Sequence, residues 1–261
     1  MAQQEKKSWL KQRKKRKTHA VHMPIAHMIP NMVTLTGMLC GLWSIRWSFE
    51  GEWEKACIAI IGAYIADTLD GGLARLLKAS SRMGAELDSL ADVISFGVAP
   101  AFFIHYYTQT KGVPYMWPAA LLLVLSIALR LARFNVTVPS KDMEGFFYGV
   151  PSPPAAIIAI TPIVLDYMLE LNFLMTPFAF IPWLIMLSIL IISKIPTFSF
   201  KKRKLHKKFW HIFWLIFCAI ITTISLAPWN IFVLFVLIYL LLIPYSIVEY
   251  KKRAQKSTIQ T

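Results

Sequence analysis

The stretch ADTLDGGLARLLKASSRMGAELDSLAD, residues 66–92, decides the reading of this chain. It sets four aspartates, Asp67, Asp70, Asp88 and Asp92, within 26 residues of sequence that is otherwise apolar enough to cross a membrane. A charged side chain inside an apolar helix costs at least about 2.5 to 3.5 kcal/mol, so a group of four needs a compensating partner and usually has a purpose. At 3.6 residues per turn, spacings of three and four place Asp67, Asp70, Gly71, Ala74 and Arg75 along one stripe of one helix. Gly84, Asp88, Asp92, Ser95 and Ala99 form a second stripe on the next helix. The connection between them, residues 78–83, is short enough to make the two helices neighbours, and the four carboxylates are expected to converge.

Working outward, 56% of the 261 residues are hydrophobic and the mean hydropathy is +0.53, values that exclude an ordinary soluble domain. A helix needs about 20 apolar residues to span roughly 30 Å of hydrocarbon. Eight such stretches occur, at 31–49, 56–77, 87–107, 116–134, 155–174, 175–193, 209–226 and 230–248. The expected fold is therefore all-α, a polytopic membrane protein of eight transmembrane helices. Basic residues gather in loops on the cytoplasmic side. With the N-terminus inside, the inner segments hold Lys6 to Lys17, Lys78, Arg82, Arg133, Lys141, Lys201 to Lys208 and Lys251 to Lys256, and the outer loops hold Lys55 and Lys111. Both termini are then cytoplasmic. The net charge of +14 reads as topology and attraction to anionic lipid head groups, not as nucleic-acid binding.

Other features narrow the field. No small-residue cleavage site follows the first apolar run, so that span is expected to stay attached. Cys40, Cys57 and Cys218 lack paired spacing and are assigned to packing. His19, His22, His27, His105, His206 and His211 show no ligand spacing among themselves. Aromatic residues near the span ends suit an interfacial belt. No repeat or linker divides the chain.

Four unneutralised carboxylates in a low dielectric would repel, so some carry protons or cations sit among them, and hard oxygen ligands favour Mg²⁺, Mn²⁺ or Ca²⁺. Glycines at 71, 72 and 84 leave room either for a bulky ligand or for close helix contact, and Arg75 offers a forked cation suited to phosphate. Carboxylates, metal and arginine together suit phosphoryl-group transfer. Two alternatives stand beside this: a structural role for the acids and small residues in helix packing, and ion or proton coupling in a transporter. A transporter would spread its acids in depth and break helices in matching halves, whereas these acids group toward one face.

Written as Asp67-x-x-Asp70-Gly71-x-x-Ala74-Arg75, eight residues, Gly84-x-x-x-Asp88-x-x-x-Asp92, the pattern resembles the signature of the CDP-alcohol phosphatidyltransferase family at every fixed position. Pro30-Asn31-Met32-Val33-Thr34 is similar to the family's motif at the start of its first span. The resemblance implies a core over residues 28–193, preceded by a basic arm, 1–27, and followed by a basic loop with two additional helices, 194–250, and a tail, 251–261. It implies that Asp67, Asp70 and Asp88 hold two divalent ions, Mg²⁺ or Mn²⁺, that bridge the diphosphate of the CDP-lipid, and that Asp92 is the general base and shares in metal binding. It further implies that Asn31, Thr34, Asp70, Gly71, Ala74, Arg75 and Gly84 line the CDP site.

Three more segments resemble the members of the family that use serine: Arg130-Leu131-Ala132-Arg133-Phe134-Asn135, Gly149-Val150-Pro151-Ser152-Pro153 and Ser193-Lys194-Ile195-Pro196-Thr197-Phe198. They imply CDP-diacylglycerol as donor and L-serine as acceptor, with glycerol phosphate or inositol as the alternatives. Serine brings a carboxylate into a partly dry cavity and needs a cation or aligned donors there. Arg130 and Arg133, one turn apart, together with Asn135, Ser152 and Lys194, are the candidates for serine or the lipid phosphate. Arginines at a helix end also snorkel to head groups or close the last turn. The resemblance also implies a homodimer in a bacterial inner membrane, with the active site facing the cytoplasm.

Overall fold

The computed structural model describes residues 25–136, 146–193, 196–198, 229, 232–234 and 236–242. Helices α1 (Ile25–Glu50) and α2 (Trp53–Leu76) form a hairpin that turns at Gly51, where a φ of +77° suits glycine. Helix α3 (Arg82–Thr110) follows, with a π-helical turn at Val93–Val98 immediately after Asp92. Then come α4 (Trp117–Val136), α5 (Ser152–Leu169), α6 (Pro177–Ile192) and α7 (Phe232–Leu242). The described residues form a helical bundle. Its sole strand pairing is a three-residue ribbon in which β1 (Phe146–Tyr148) runs antiparallel to β2 (Pro196–Phe198), Phe147 facing Thr197.

Helices α1 to α5 are long and apolar enough to cross a membrane. Helix α6, at 16 residues and about 24 Å, falls short of the hydrocarbon thickness, and α7 covers part of the stretch expected at 230–248. The stretch at 209–226 and both terminal arms lie outside the described residues. Leu39, Trp43, Leu69, Leu125, Leu129 and Ile189 are exposed along the outer faces, an arrangement suited to hydrocarbon and costly in water. Helix α5 is the enclosed element, with 13 of its 18 residues buried.

Small residues govern the close approaches that position the site. A β-carbon added at Gly41 of α1 would meet Cα of Ser95, in the π-turn of α3, at 2.8 Å, and Ser95 Oγ donates to the Gly37 carbonyl at 3.1 Å. Helix α3 begins five residues before the apolar stretch at 87–107. Ser81, extended at φ −131° and ψ 155°, caps it by accepting from the Gly84 N–H at 2.9 Å, and this lets the polar run from Arg82 to Glu86 join the helix. At Gly149 φ is +69°, and an added β-carbon would press on the backbone carbonyls of Ile191 and Ser193, so α5 enters tight against the end of α6.

Candidate functional site

Helices α2 and α3 bring the acids together at the end of the bundle that carries Lys78 and Arg82. Asp67, Asp70 and Asp88 each offer a carboxylate oxygen, and all three oxygens lie within 4.8 Å of one another. Asp92, one turn further along α3, stands within hydrogen-bonding reach of Asp67. A cleft of about 190 Å³ opens among them, walled also by Thr34, Ser95 and Phe96. So many carboxylates at such separations need compensating positive charge, and no lysine or arginine forms an ion pair with any of the four among the described residues.

Two buried hydroxyls distinguish the aspartates. Thr34 Oγ1, on α1, donates to Asp70 Oδ2 at 2.6 Å, and Ser152 Oγ, at the start of α5, donates to Asp92 Oδ2 at 2.6 Å. Charge-assisted O–H···O⁻ bonds have this length. Each leaves the second oxygen of its carboxylate to face the cleft or a neighbour.

The glycines divide between the two uses open to them from sequence. A β-carbon at Gly84 would lie 2.9 Å from Asn31 Oδ1, so Gly84 lets α1 and α3 approach. Nothing lies within 4 Å of a β-carbon built at Gly71 or Gly72, so the backbone of α2 beyond Asp70 is open to a ligand. Arg75, one turn on, is exposed beside that opening, and Ala74 is half-buried.

Arg130 is only 9% exposed, and its buried Nε has no hydrogen-bond partner. It lies within electrostatic reach of Asp92 and makes no ion pair among the described residues. Arg133 donates to the Ile192 carbonyl and thereby ties the end of α4 to the end of α6. Asn135 donates to Ser89 Oγ at 3.0 Å, beside Asp88. Lys194 lies outside the described residues.

A fifth aspartate within the helices, and a fully buried one, escaped the sequence reading. Asp166 of α5 is 1% exposed, accepts from Tyr107 Oη at 2.7 Å and pairs with Lys111 Nζ at 2.9 Å, at the end of the bundle away from the aspartate cluster. Its signal, an acid within an apolar run, was present, but its cation sits 55 positions upstream in a turn.

Apolar helices enclosing an acidic centre able to hold hard cations define a membrane-embedded protein whose chemistry takes place within its helices. The chain belongs to the CDP-alcohol phosphatidyltransferase family, whose profile matches residues 27–193. Enzymes of this family use divalent metal, and the grouped aspartates suit one. The chain is 35% identical to a CDP-diacylglycerol–serine O-phosphatidyltransferase of Mycobacterium leprae over 89% of its own length and 77% of the relative's. It is 34% identical to the Helicobacter pylori protein of the same name, over 83% and 92% of the two chains. An archaetidylserine synthase of Methanothermobacter thermautotrophicus is 36% identical over 64% of this chain and 68% of its own.

Proposed function

We propose that the protein transfers the phosphatidyl group of CDP-diacylglycerol to L-serine, yielding phosphatidylserine and CMP. The observation that carries this reading is the convergence of Asp67, Asp70 and Asp88 with Asp92 beside them. The relatives at 34% and 35% identity that are named for this reaction support it.

Asp67, Asp70 and Asp88 are the residues that would hold the metal. Their donor set is anionic oxygen throughout, and the open backbone at Gly71 and Gly72 leaves room for the donor's head group next to it. Bound there, Mg²⁺ or Mn²⁺ would offset the charge of the diphosphate and make CMP a better leaving group. Thr34 holds Asp70 in place, Gly84 and Asn31 set the helix contact beneath the CDP site, and Arg75 faces the phosphate side. Asp92 takes the proton as the serine hydroxyl oxygen bonds to the phosphorus that carries diacylglycerol. The bond from that phosphorus to the CMP oxygen breaks, and CMP leaves with the electron pair. Ser152 fixes one Asp92 oxygen and leaves the other for the acceptor hydroxyl. Arg130 stands ready for an anion, while Arg133 and Asn135 shape the acceptor side.

In the membrane we place eight spans, with both termini and the aspartate cluster on the cytoplasmic side of a bacterial inner membrane, and a homodimer as the assembly. The test is CMP release by purified protein given CDP-diacylglycerol, metal and labelled alcohols. Release with serine alone, abolished by EDTA and restored by Mg²⁺ or Mn²⁺, supports the reading. Release with glycerol phosphate or inositol instead would move the protein to a sister activity. Full turnover in a metal-free sample, or ion flux in liposomes without CMP release, would overturn the mechanism.

A further inference from the structure

Every polar side chain that lines the cleft among the described residues, from Thr34, Asp67, Asp70, Asp88, Asp92 and Ser95, ends in oxygen. Both hydroxyls have already committed their protons, Thr34 to Asp70 Oδ2 at 2.6 Å and Ser95 to the Gly37 carbonyl at 3.1 Å. A hydroxyl carries one proton and two lone pairs, so toward the cleft each of them can only accept. The cleft is therefore built for positive charge along its length. Asp67, Asp70 and Asp88 account for the metal, and Asp92 for the proton of the acceptor hydroxyl. Ser95 is the acceptor left over. It is also firmly placed, directly after Asp92 in the π-turn of α3, at 2% exposure and so close to α1 that a β-carbon added at Gly41 would lie 2.8 Å from its Cα and its Oγ.

We infer that Ser95 Oγ accepts a hydrogen bond from the α-ammonium of the amino-acid acceptor, which makes this hydroxyl the residue that tells an amino alcohol from a plain one. The inference rests on the serine-transferase reading above. The ammonium and the reacting hydroxyl of serine sit on adjacent carbons, and Ser95 follows Asp92 by three residues on the wall of one cleft, so a short substrate can engage both. An ammonium taken out of water needs acceptors for its N–H groups. Ser95 Oγ offers a lone pair whose direction is set by the bond to Gly37, and Asp92 beside it supplies the opposite charge. Glycerol phosphate and inositol carry no amine to place there, and their hydroxyls would meet a site that only accepts. Ser95 is a specificity residue in this account and takes no part in bond making.

The experiment compares full-length wild type with Ser95→Ala in CMP release, using L-serine and 3-hydroxypropionate, which is serine without its ammonium. The second compound is read by its KM where it is turned over and otherwise by its inhibition constant against serine. Losing one hydrogen bond to a charged group predicts about a tenfold rise in KM for serine. The constant for 3-hydroxypropionate, the KM for CDP-diacylglycerol and the metal concentration for half-maximal activity should stay unchanged, so the preference for serine narrows by the same factor. General loosening of the cleft would instead weaken both compounds equally and leave their ratio intact, and that result overturns the inference. A change confined to the metal or to CDP-diacylglycerol overturns it too, since Ser95 would then act on the donor side. If Ser95→Ala does not fold, Ser95→Cys decides by the same ratio, because a thiol keeps a weak donor for Gly37 and is a poor acceptor: an unchanged ratio removes the subsite. Wild type without serine-dependent CMP release would bring down the proposed function. Serine-dependent wild type with an unchanged ratio in Ser95→Ala would bring down the subsite alone.

Discussion

If Ser152 orients a base and Thr34 orients a metal ligand, removing each hydroxyl should damage a different step. The two bonds are matched controls. Both measure 2.6 Å, and all four residues are at most 8% exposed, so water is poorly placed to substitute. A hydrogen bond to an ionised group contributes about 1.5 to 3 kcal/mol, equivalent to a factor of roughly 10 to 100. Ser152→Ala should therefore lower kcat for CMP release by about 10- to 100-fold, with the metal concentration for half-maximal activity within about twofold of wild type. Thr34→Val, which keeps a branched side chain of similar size, should raise that metal concentration about tenfold or more and recover most of its kcat at saturating metal. The assay is initial-rate CMP release at saturating CDP-diacylglycerol and serine, titrated with Mg²⁺ or Mn²⁺. If Ser152→Ala shifts the metal dependence as far as Thr34→Val, or leaves kcat unchanged, the division of roles between Asp92 and Asp70 is refuted.

Asp67→Asn, Asp70→Asn and Asp88→Asn should weaken metal and CDP-lipid binding, since hard cations need anionic oxygen, whereas Asp92→Asn should retain donor binding and lose about 10²- to 10⁴-fold in turnover; equal loss of donor binding in all four would make Asp92 a ligand. Lys111→Met leaves the Asp166 charge buried without its cation and should lower stability in detergent by about 2 to 3 kcal/mol given that Lys111 is partly exposed, read as a fall in the thermal midpoint, with KM for both substrates unchanged; a change in KM would link that end of the bundle to the site. A cysteine at exposed Ser80, in the connection between α2 and α3, should react with a membrane-impermeant thiol reagent only after the cells are opened; labelling of intact cells would invert the proposed topology.

The parts of the fold legible in sequence were those that depend on composition over a helix length. An uninterrupted apolar run has one low-energy use in hydrocarbon, so α1 to α5 could be placed before any contact was known. The limits of the helices were less legible because they depend on local hydrogen bonds. Ser81 caps α3 and brings Arg82 and Met83, which the sequence reading left in the connection, into its first turn. The π-turn after Asp92 has no compositional mark. It exists where Ser95 meets the backbone of α1 at Gly37 and Gly41, a contact between segments more than 50 residues apart. Helix α6 reads as a span by hydropathy, and with 16 residues its crossing would draw on flanking residues and local thinning of the bilayer.

At the site, the positions of the aspartates could be read from spacing, because three- and four-residue intervals fix a face of a helix whatever surrounds it. What each aspartate does could not, since identical side chains at equivalent spacings differ only in what approaches them from elsewhere. The hydroxyl on Asp70 comes from 36 residues away and that on Asp92 from 60. The guanidinium in electrostatic reach of Asp92 comes from α4, 38 residues further on. A carboxylate whose one oxygen is held from α1 beside two others is shaped to bind a cation. A carboxylate whose one oxygen is held from α5, with a buried arginine in electrostatic reach, is shaped to accept a proton next to an anionic substrate. The charge pattern along α2 and α3 thus sets which elements carry the chemistry. The division of labour among them arises only when hydroxyls from α1 and α5 and the guanidinium from α4 approach them.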